Sequence, residues 1–313
     1  MAFAAYILAD SISPDGVRYT TFQITYPHAV HKDILRHRVH ASSYLSFRAY
    51  PTEKLFQMLE EDPFIPEKFQ EYRKGMDVGS ALDPATEAMC ESDWIIAKDA
   101  AVESAKRLME LGVNKGHANI LIQDFCWITG IVSGTEWGNF WALRANPPST
   151  SKPRAEVIKI AKMMYDKYEE NKPEELDYGE LHLPLVNNED WTLFALKDWD
   201  FKDAEEQLLK VSTGRCARTS YLTHFGVRDL SADVGLHNNL MDHRHMSPFD
   251  HPAWPIPLTG PKYIEVPDPR VGTVIDRGPD WRGHLYGWCS YRKTVPQEYD
   301  FSLVRDQIEE ISK

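Results

Sequence analysis

Three guanidiniums, two imidazoles and three serine hydroxyls fall within fourteen consecutive positions: Leu35-Arg36-His37-Arg38-Val39-His40-Ala41-Ser42-Ser43-Tyr44-Leu45-Ser46-Phe47-Arg48. Such a cluster suits anionic oxygens. Arginine offers a planar fork of donors that meets phosphate bidentately, and serine hydroxyls with free helix-end N–H groups complete a phosphate cradle. A second group, His243-Arg244-His245 followed by Met246-Ser247-Pro248-Phe249-Asp250-His251, carries His-x-His with carboxylates at Asp242 and Asp250. That is also an arrangement of metal hydrolases, and His28, His31, His37 and His40 recur at helical spacing. A third group, Asn139-Phe140-Trp141-Ala142-Leu143-Arg144, ends an aromatic segment on a cation.

Composition narrows the partners. The chain has 313 residues, 42% hydrophobic and 12% aromatic, which is enough for a substantial core. Its formal charge of −12 disfavours a nucleic-acid polymer, because nonspecific polyanion binding rests on Lys and Arg neutralising phosphates. A small phosphorylated ligand needs only a local basic pocket, and Arg36, Arg38 and Arg48 stand out for that role. No apolar run approaches the roughly 18 residues of a membrane span, and the first residues lack the basic start of a signal peptide. These features predict a cytoplasmic protein. Cys90, Cys126, Cys216 and Cys289 form no CxxC pair, so they read as reduced thiols and not as a zinc or disulfide framework.

The elements that must position these groups follow from periodicity. Residues 19–26 alternate Phe22, Ile24 and Tyr26 against threonines and Gln23, predicting a half-buried strand ended by Pro27. A helix then carries Val30 and Ile34 inward and runs through Arg38. Residues 51–66 predict a short helix and loop, and 92–111 an amphipathic helix stopped by Gly112. The apolar stretch 117–133 and its continuation 136–144 predict two buried helices meeting near Gly134. Residues 154–168 predict a helix with Val157, Ile160, Ala161 and Met164 inward, and 203–210 another. Residues 281–292 read as a strand pair before a short acidic C-terminal helix.

Arg36-His37-Arg38, seven residues, then Ser46 resembles the signature of flavin-dependent thymidylate synthases. Ala217-Arg218-Thr219-Ser220 resembles that family's "ARVS" element, His243 to His251 its "HGH-[ST]-PFEH" element with Asp250 for the usual Glu, and Asn139 to Arg144 its "NFLxLR" helix. The order is unusual. In the family the last-mentioned helix and the Arg-His-Arg signature follow the other two elements, whereas here they precede them, a circular permutation of the kind that neighbouring surface termini allow.

The resemblance implies an α+β flavin-dependent thymidylate synthase-like fold, circularly permuted, with a single core and a C-terminal extension. Residues 1–170 and 209–258 would be two parts of one flavin- and nucleotide-binding domain, 171–208 an acidic connecting segment, and 259–313 the extension. It implies FAD, held by Arg36, His37, Arg38, Asn139, Ser220, Ser247 and Asp250, with NADPH and methylenetetrahydrofolate as co-substrates and no metal. Arg36, Ser46, Arg48 and Arg144 would bind a pyrimidine deoxynucleotide monophosphate. Arg144 would also answer the negative charge that builds on the ring when carbon or hydride is added at C5–C6. The family works as a homotetramer, so an oligomer is expected. Ser43-Tyr44 stand where the family has Asn-Glu, and residues 118–121 lack its phosphate-binding Arg. Tyr44, His117, Asn119, Arg292 and Lys293 are candidates to replace them. Hydroxymethylation of a pyrimidine nucleotide, a metal-dependent hydrolase and a non-catalytic nucleotide-binding protein stay as alternative readings.

Overall fold

The computed structural model describes residues 2–74, 79–147, 153–195, 201–219, 229–259, 262–265, 273–276 and 280–295. Its centre is a five-stranded sheet of β1 (Ala4–Ile12), β2 (Arg18–Pro27), β3 (Ala41–Tyr44), β4 (Trp127–Gly134) and β5 (Glu174–Glu175), in the order β3-β4-β2-β1-β5. All neighbours are antiparallel except β1 and β5. Helices α1 (His31–Ile34), α2 (Thr52–Glu61), α3 (Pro84–Glu110), α4 (Lys115–Ile122), α5 (Gly138–Phe140), α6 (Ala155–Glu170), α7 (Asn188–Ala195), α8 (Phe201–Thr219) and α9 (Leu230–Asp242) complete a mixed α+β architecture. None of the described helices is long and apolar enough to cross a membrane.

The sheet's two faces differ because β2 alternates. Phe22, Ile24 and Tyr26, with Ile128 and Val132 of β4, form an apolar face that packs on the main core. As the spacing predicts, Val157, Ile160, Ala161 and Met164 of α6 are the residues buried against it. The opposite face presents Tyr19, Thr21, Gln23 and Thr25 beside Ser133, Thr129 and Ser43. It is buried too, so β2 is covered on both sides and not half-exposed. The cover comes from the second part of the chain: the phenol of Tyr19 donates to the carbonyls of Asp250 (2.9 Å) and His251 (3.2 Å).

Other expectations change with the structure. The helix predicted through Arg38 stops at Ile34, because beyond Val30 and Ile34 the next apolar residues, Leu35 and Val39, face solvent and anchor nothing. The two buried helices predicted over 117–144 are instead α4, strand β4, and α5 continued by a π turn over Trp141–Ala145. A continuous apolar run has the same appearance in a buried helix and a buried strand. Helix α3 begins earlier than its periodicity suggests, capped by Asp83, whose carboxylate accepts from the N–H groups of Ala85 and Thr86.

Within the acidic segment 171–208, β5 joins the sheet, and Asp190 joins a buried ion network with Arg215, only 3% exposed, and Asp233. Arg218, from the "ARVS"-like element, also pairs with Asp233, so that arginine ties α8 to α9. Farther on, β6 (Ala253–Pro255), the hairpin of β7 (Lys262–Glu265) and β8 (Thr273–Asp276), and the short strands β9 (Trp281–Arg282), β10 (Leu285–Tyr286) and β11 (Trp288–Ser290) follow. Strand β11 pairs with β6, and Trp288 is fully buried beside Tyr19, so residues 281–290 are woven into the body of the protein. The acidic C-terminal helix lies outside the described residues.

Candidate functional site

The Arg-His-Arg triplet sits in a tight turn between α1 and β3, where His37 and His40 donate their backbone N–H groups to the carbonyls of Ile34 and His37. This turn swings His37, Arg38 and His40 over the edge of the apolar sheet face. There they line a small cleft of about 40 Å³ with Ile24, Val132 and Met164 as buried floor and Trp137, Phe140 and Tyr44 as aromatic walls. Aromatic walls are surfaces on which a planar ring can stack, and a guanidinium at the rim suits an anionic oxygen.

Two glycines of β4 make the walls possible. A Cβ on Gly130 would lie 2.1 Å from Cδ1 of Tyr44, and one on Gly134 would lie 2.7 Å from Cδ2 of His40. Their absent side chains let both rings lie flat on the strand. Gly130→Ala is therefore expected to destabilise the fold by about 1–3 kcal/mol through overpacking. Gly138→Ala, where nothing stands within 4 Å, should be neutral or slightly stabilising. Urea denaturation of the two variants checks the contrast.

The electrostatics of the turn are specific. Nε–H of Arg144 donates to Nε2 of His37 at 3.1 Å, which leaves the proton of a neutral His37 on Nδ1. Burial lowers the pKa of His37, and the Arg144 charge lowers it further. His40 stacks on Trp137 at 4.0 Å between ring centroids and hydrogen-bonds the carbonyl of Glu136. Burial takes its pKa down to about 4, so both histidines are neutral near pH 7. The hydroxyl of Tyr44 is buried beside Tyr26 without a well-formed hydrogen bond, and burial holds the phenol in its protonated state.

Three of the residues singled out from sequence thus converge: His37 and Arg38 on the cleft wall, and Arg144 on His37. Arg36, Ser46, Arg48, Asn139 and Ser247 are exposed and stand outside the cleft wall. Arg36 lies 3.9 Å from Asp33, and Arg48 rests against Gly116 of α4. Asp250 is buried, and its carboxylate accepts from Arg292 at 3.0 Å and from Ser290 at 3.4 Å. Ser220 lies outside the described residues. Asn119 does not replace a phosphate ligand: it is fully buried, and its amide donates to the carbonyls of Phe47 and Tyr50.

The histidine group around 243–251 separates. His243 and His245 are exposed, whereas both ring nitrogens of the fully buried His251 are engaged by Ser133 and Ser43. Among the described residues no group of three or more His, Cys, Asp and Glu side chains is arranged to hold a metal ion. Sequence reading passed over Trp137 and His284 as site residues. Trp137 lies two positions ahead of Asn139, a spacing that could have drawn notice, whereas His284 reaches the His40 side only through the chain's return along β10.

No protein-family model matches the chain, and no curated protein matches it. Among solved structures it is similar to the UMP/dUMP methylase PolB from Streptomyces cacaoi bound with 5-Br UMP, at 14% identity and a TM-score of 0.44 over 53% of this chain and 88% of that one. The same methylase bound with 5-Br dUMP aligns at 13% identity and a TM-score of 0.44, over 54% and 90% of the two chains.

Proposed function

We propose that the chain is a flavin-dependent enzyme that transfers a one-carbon unit from methylenetetrahydrofolate to C5 of a pyrimidine nucleotide monophosphate, in a circularly permuted version of the thymidylate synthase fold its motifs resemble. The observation that carries this reading is the Arg144–His37 hydrogen bond. It joins two of the resembling segments, 107 positions apart, at one aromatic cleft.

The residues present are of the types that hold a flavin or nucleotide ring, with aromatic walls, a buried phenol with an unused donor and Arg38 at the rim, in a cleft of about 40 Å³ that takes only the edge of such a ring. His37, Arg38 and Asn139 would hold FAD, with Ser220, Ser247 and Asp250 assigned by motif position alone. Arg36, Ser46 and Arg48 would hold the nucleotide phosphate, each charge-assisted hydrogen bond contributing about 1.5–3 kcal/mol. When bound and reduced by NADPH, FAD supplies the hydride that completes the methyl group. The chain's own part is orientation and charge. Arg144 offers a fixed cation to the electron-rich pyrimidine, and neutral His37 holds that guanidinium in place without competing for the substrate's protons. Because Arg36, Ser46 and Arg48 lie on the surface, a homo-oligomer in which a second chain closes the phosphate site accompanies this reading.

The test is direct. Purified protein titrated with FAD should acquire a bound-flavin absorption spectrum. Incubation with NADPH, methylenetetrahydrofolate and dUMP or UMP should then give a product heavier by a methyl group. A hydroxymethyl product would point to the alternative modification that Tyr44, in place of a carboxylate, keeps open. Absence of flavin binding would overturn the proposal.

A further inference from the structure

Helix α4 grips the turn that carries Ser46 and Arg48, through Lys115, Gly116 and Asn119. The amide Nδ2 of Asn119 donates to the carbonyls of Phe47 at 2.6 Å and Tyr50 at 3.0 Å. One helical turn earlier, Nζ of Lys115 donates to the carbonyl of Ala49 at 2.8 Å. Gly116 approaches the stem of Arg48 so closely that a Cβ there would stand 2.8 Å from its Cγ. The turn also closes on itself, since the N–H groups of Ala49 and Tyr50 donate to the carbonyl of Ser46 at 3.0 and 3.1 Å.

Burial sets which way the turn faces. Phe47 and Tyr50 are sunk into the main core, whereas Ser46, Arg48 and Ala49 face solvent. Anchoring the first pair and holding the carbonyls between them leaves a hydroxyl and a guanidinium displayed outward. Among the described residues Arg48 makes no ion pair and the Ser46 hydroxyl makes no hydrogen bond, unlike Arg36, which lies 3.9 Å from Asp33. Both groups are therefore available to an anion.

We propose that Asn119 is a positioning residue, which fixes the 46–50 turn so that the Ser46 hydroxyl and the Arg48 guanidinium receive a phosphate group together. Use of the turn for phosphate rests on the function proposed above. Packing alone does not account for an asparagine here. Its helix neighbours Ala118 and Ile122 are apolar and fully buried, Asn119 itself has no exposed surface, and its Oδ1 is buried without a hydrogen-bond partner among the described residues. A leucine would suit the helix better and leave no orphaned oxygen, but it could not hold two carbonyls. The orientation of the amide follows from those partners, because exchanging Oδ1 and Nδ2 would set an acceptor against two acceptors. A turn held in this way spares the ligand the cost of ordering a loop as it binds.

The experiment compares the full-length protein with Asn119→Leu, Arg48→Met and the double variant. Asn119→Leu should speed hydrogen exchange at the Tyr50 amide by about tenfold or more while the Ile131 and Val132 amides of β4 are unchanged. Titration calorimetry should show dUMP binding weakened by about tenfold, whereas 2′-deoxyuridine, the same ring and sugar without phosphate, binds variant and unmodified protein alike. Arg48→Met should also weaken dUMP binding, and the double variant should lose less than the two single effects combined, because Asn119 acts through a group already removed. If Asn119→Leu does not fold, the exposed Lys115→Met, which releases the carbonyl of Ala49, gives the same comparison. Unchanged exchange at Tyr50, or deoxyuridine affinity falling as far as that for dUMP, would overturn the positioning role whatever reaction the chain performs. Absence of dUMP binding, or an affinity that Arg48→Met leaves unchanged, would instead remove the phosphate from this turn, and the reading of the site would fall with it.

Discussion

Acidification from about pH 7.5 to about pH 5 should remove about 4 kcal/mol of folding stability through His182 and His251 alone. Both rings are buried and burial lowers their pKa to about 3 in the folded protein, against 6.5 for an ordinary histidine. A base whose folded pKa is depressed is protonated more readily in the unfolded chain, so its stabilising contribution is whole above pH 6.5 and declines as pH falls toward 3. At pH 5 the unfolded state has the advantage of about one and a half pH units per histidine, or about 2 kcal/mol each. His31 and His40, taken down to about 4 chiefly by burial, act in the same direction. Glu205, whose pKa burial and Glu180 raise, opposes them, and its partial exposure keeps that contribution small. Urea denaturation at the two pH values reads the effect as a shift in midpoint at constant slope. Stability at pH 5 within about 1 kcal/mol of that at pH 7.5 would show that these rings do not remain neutral when folded.

The same histidines mark the limit of what the sequence discloses. Strand β2 and the helix over 154–168 are legible, because each rests on local spacing. Resemblance assigns Arg144 to the nucleotide and His37 to flavin, and their hydrogen bond is visible only in the structure. Nothing in their own neighbourhoods says that they touch. The file of hydrogen bonds from Ser11 through His182, Thr21, Ser133 and His251 to Ser43 is invisible at that level. Ser11, Thr21, Ser133 and Ser43 are ordinary strand residues, and only the register Ser11↔Tyr19, Thr21↔Ser133 and Ser43↔Ile131 places their hydroxyls on one face. A slip of one residue in β4 would bring Val132 to that face and break the file. Strand β4 was misread for a related reason. It is buried on both sides, so the alternation that identifies a strand is absent, and its informative residues are Gly130 and Gly134, whose purpose appears only when Tyr44 and His40 lie across them.

Arg144→Ala should lower the turnover of the proposed one-carbon transfer by about 10²–10³-fold while leaving flavin content and the nucleotide KM nearly unchanged. In the proposed role the guanidinium would gain most when negative charge has built on the pyrimidine, so its loss would fall on the transition state more than on ground-state binding. Arg144→Lys should recover only part of the rate, because a flexible ammonium cannot reproduce the fixed Nε–H donation to His37. Arg36→Ala should behave oppositely, raising the nucleotide KM with a smaller effect on kcat, as expected of a phosphate contact made equally in both states. A second measurement needs no turnover. The Arg144 charge is one of the two causes lowering the pKa of His37, so its removal should move the His37 titration upward toward the ordinary histidine range, readable by proton NMR of the ring. Unchanged turnover together with an unchanged His37 titration would mean that the two side chains are not coupled in solution, and the assignment of Arg144 to the reacting ring would fall.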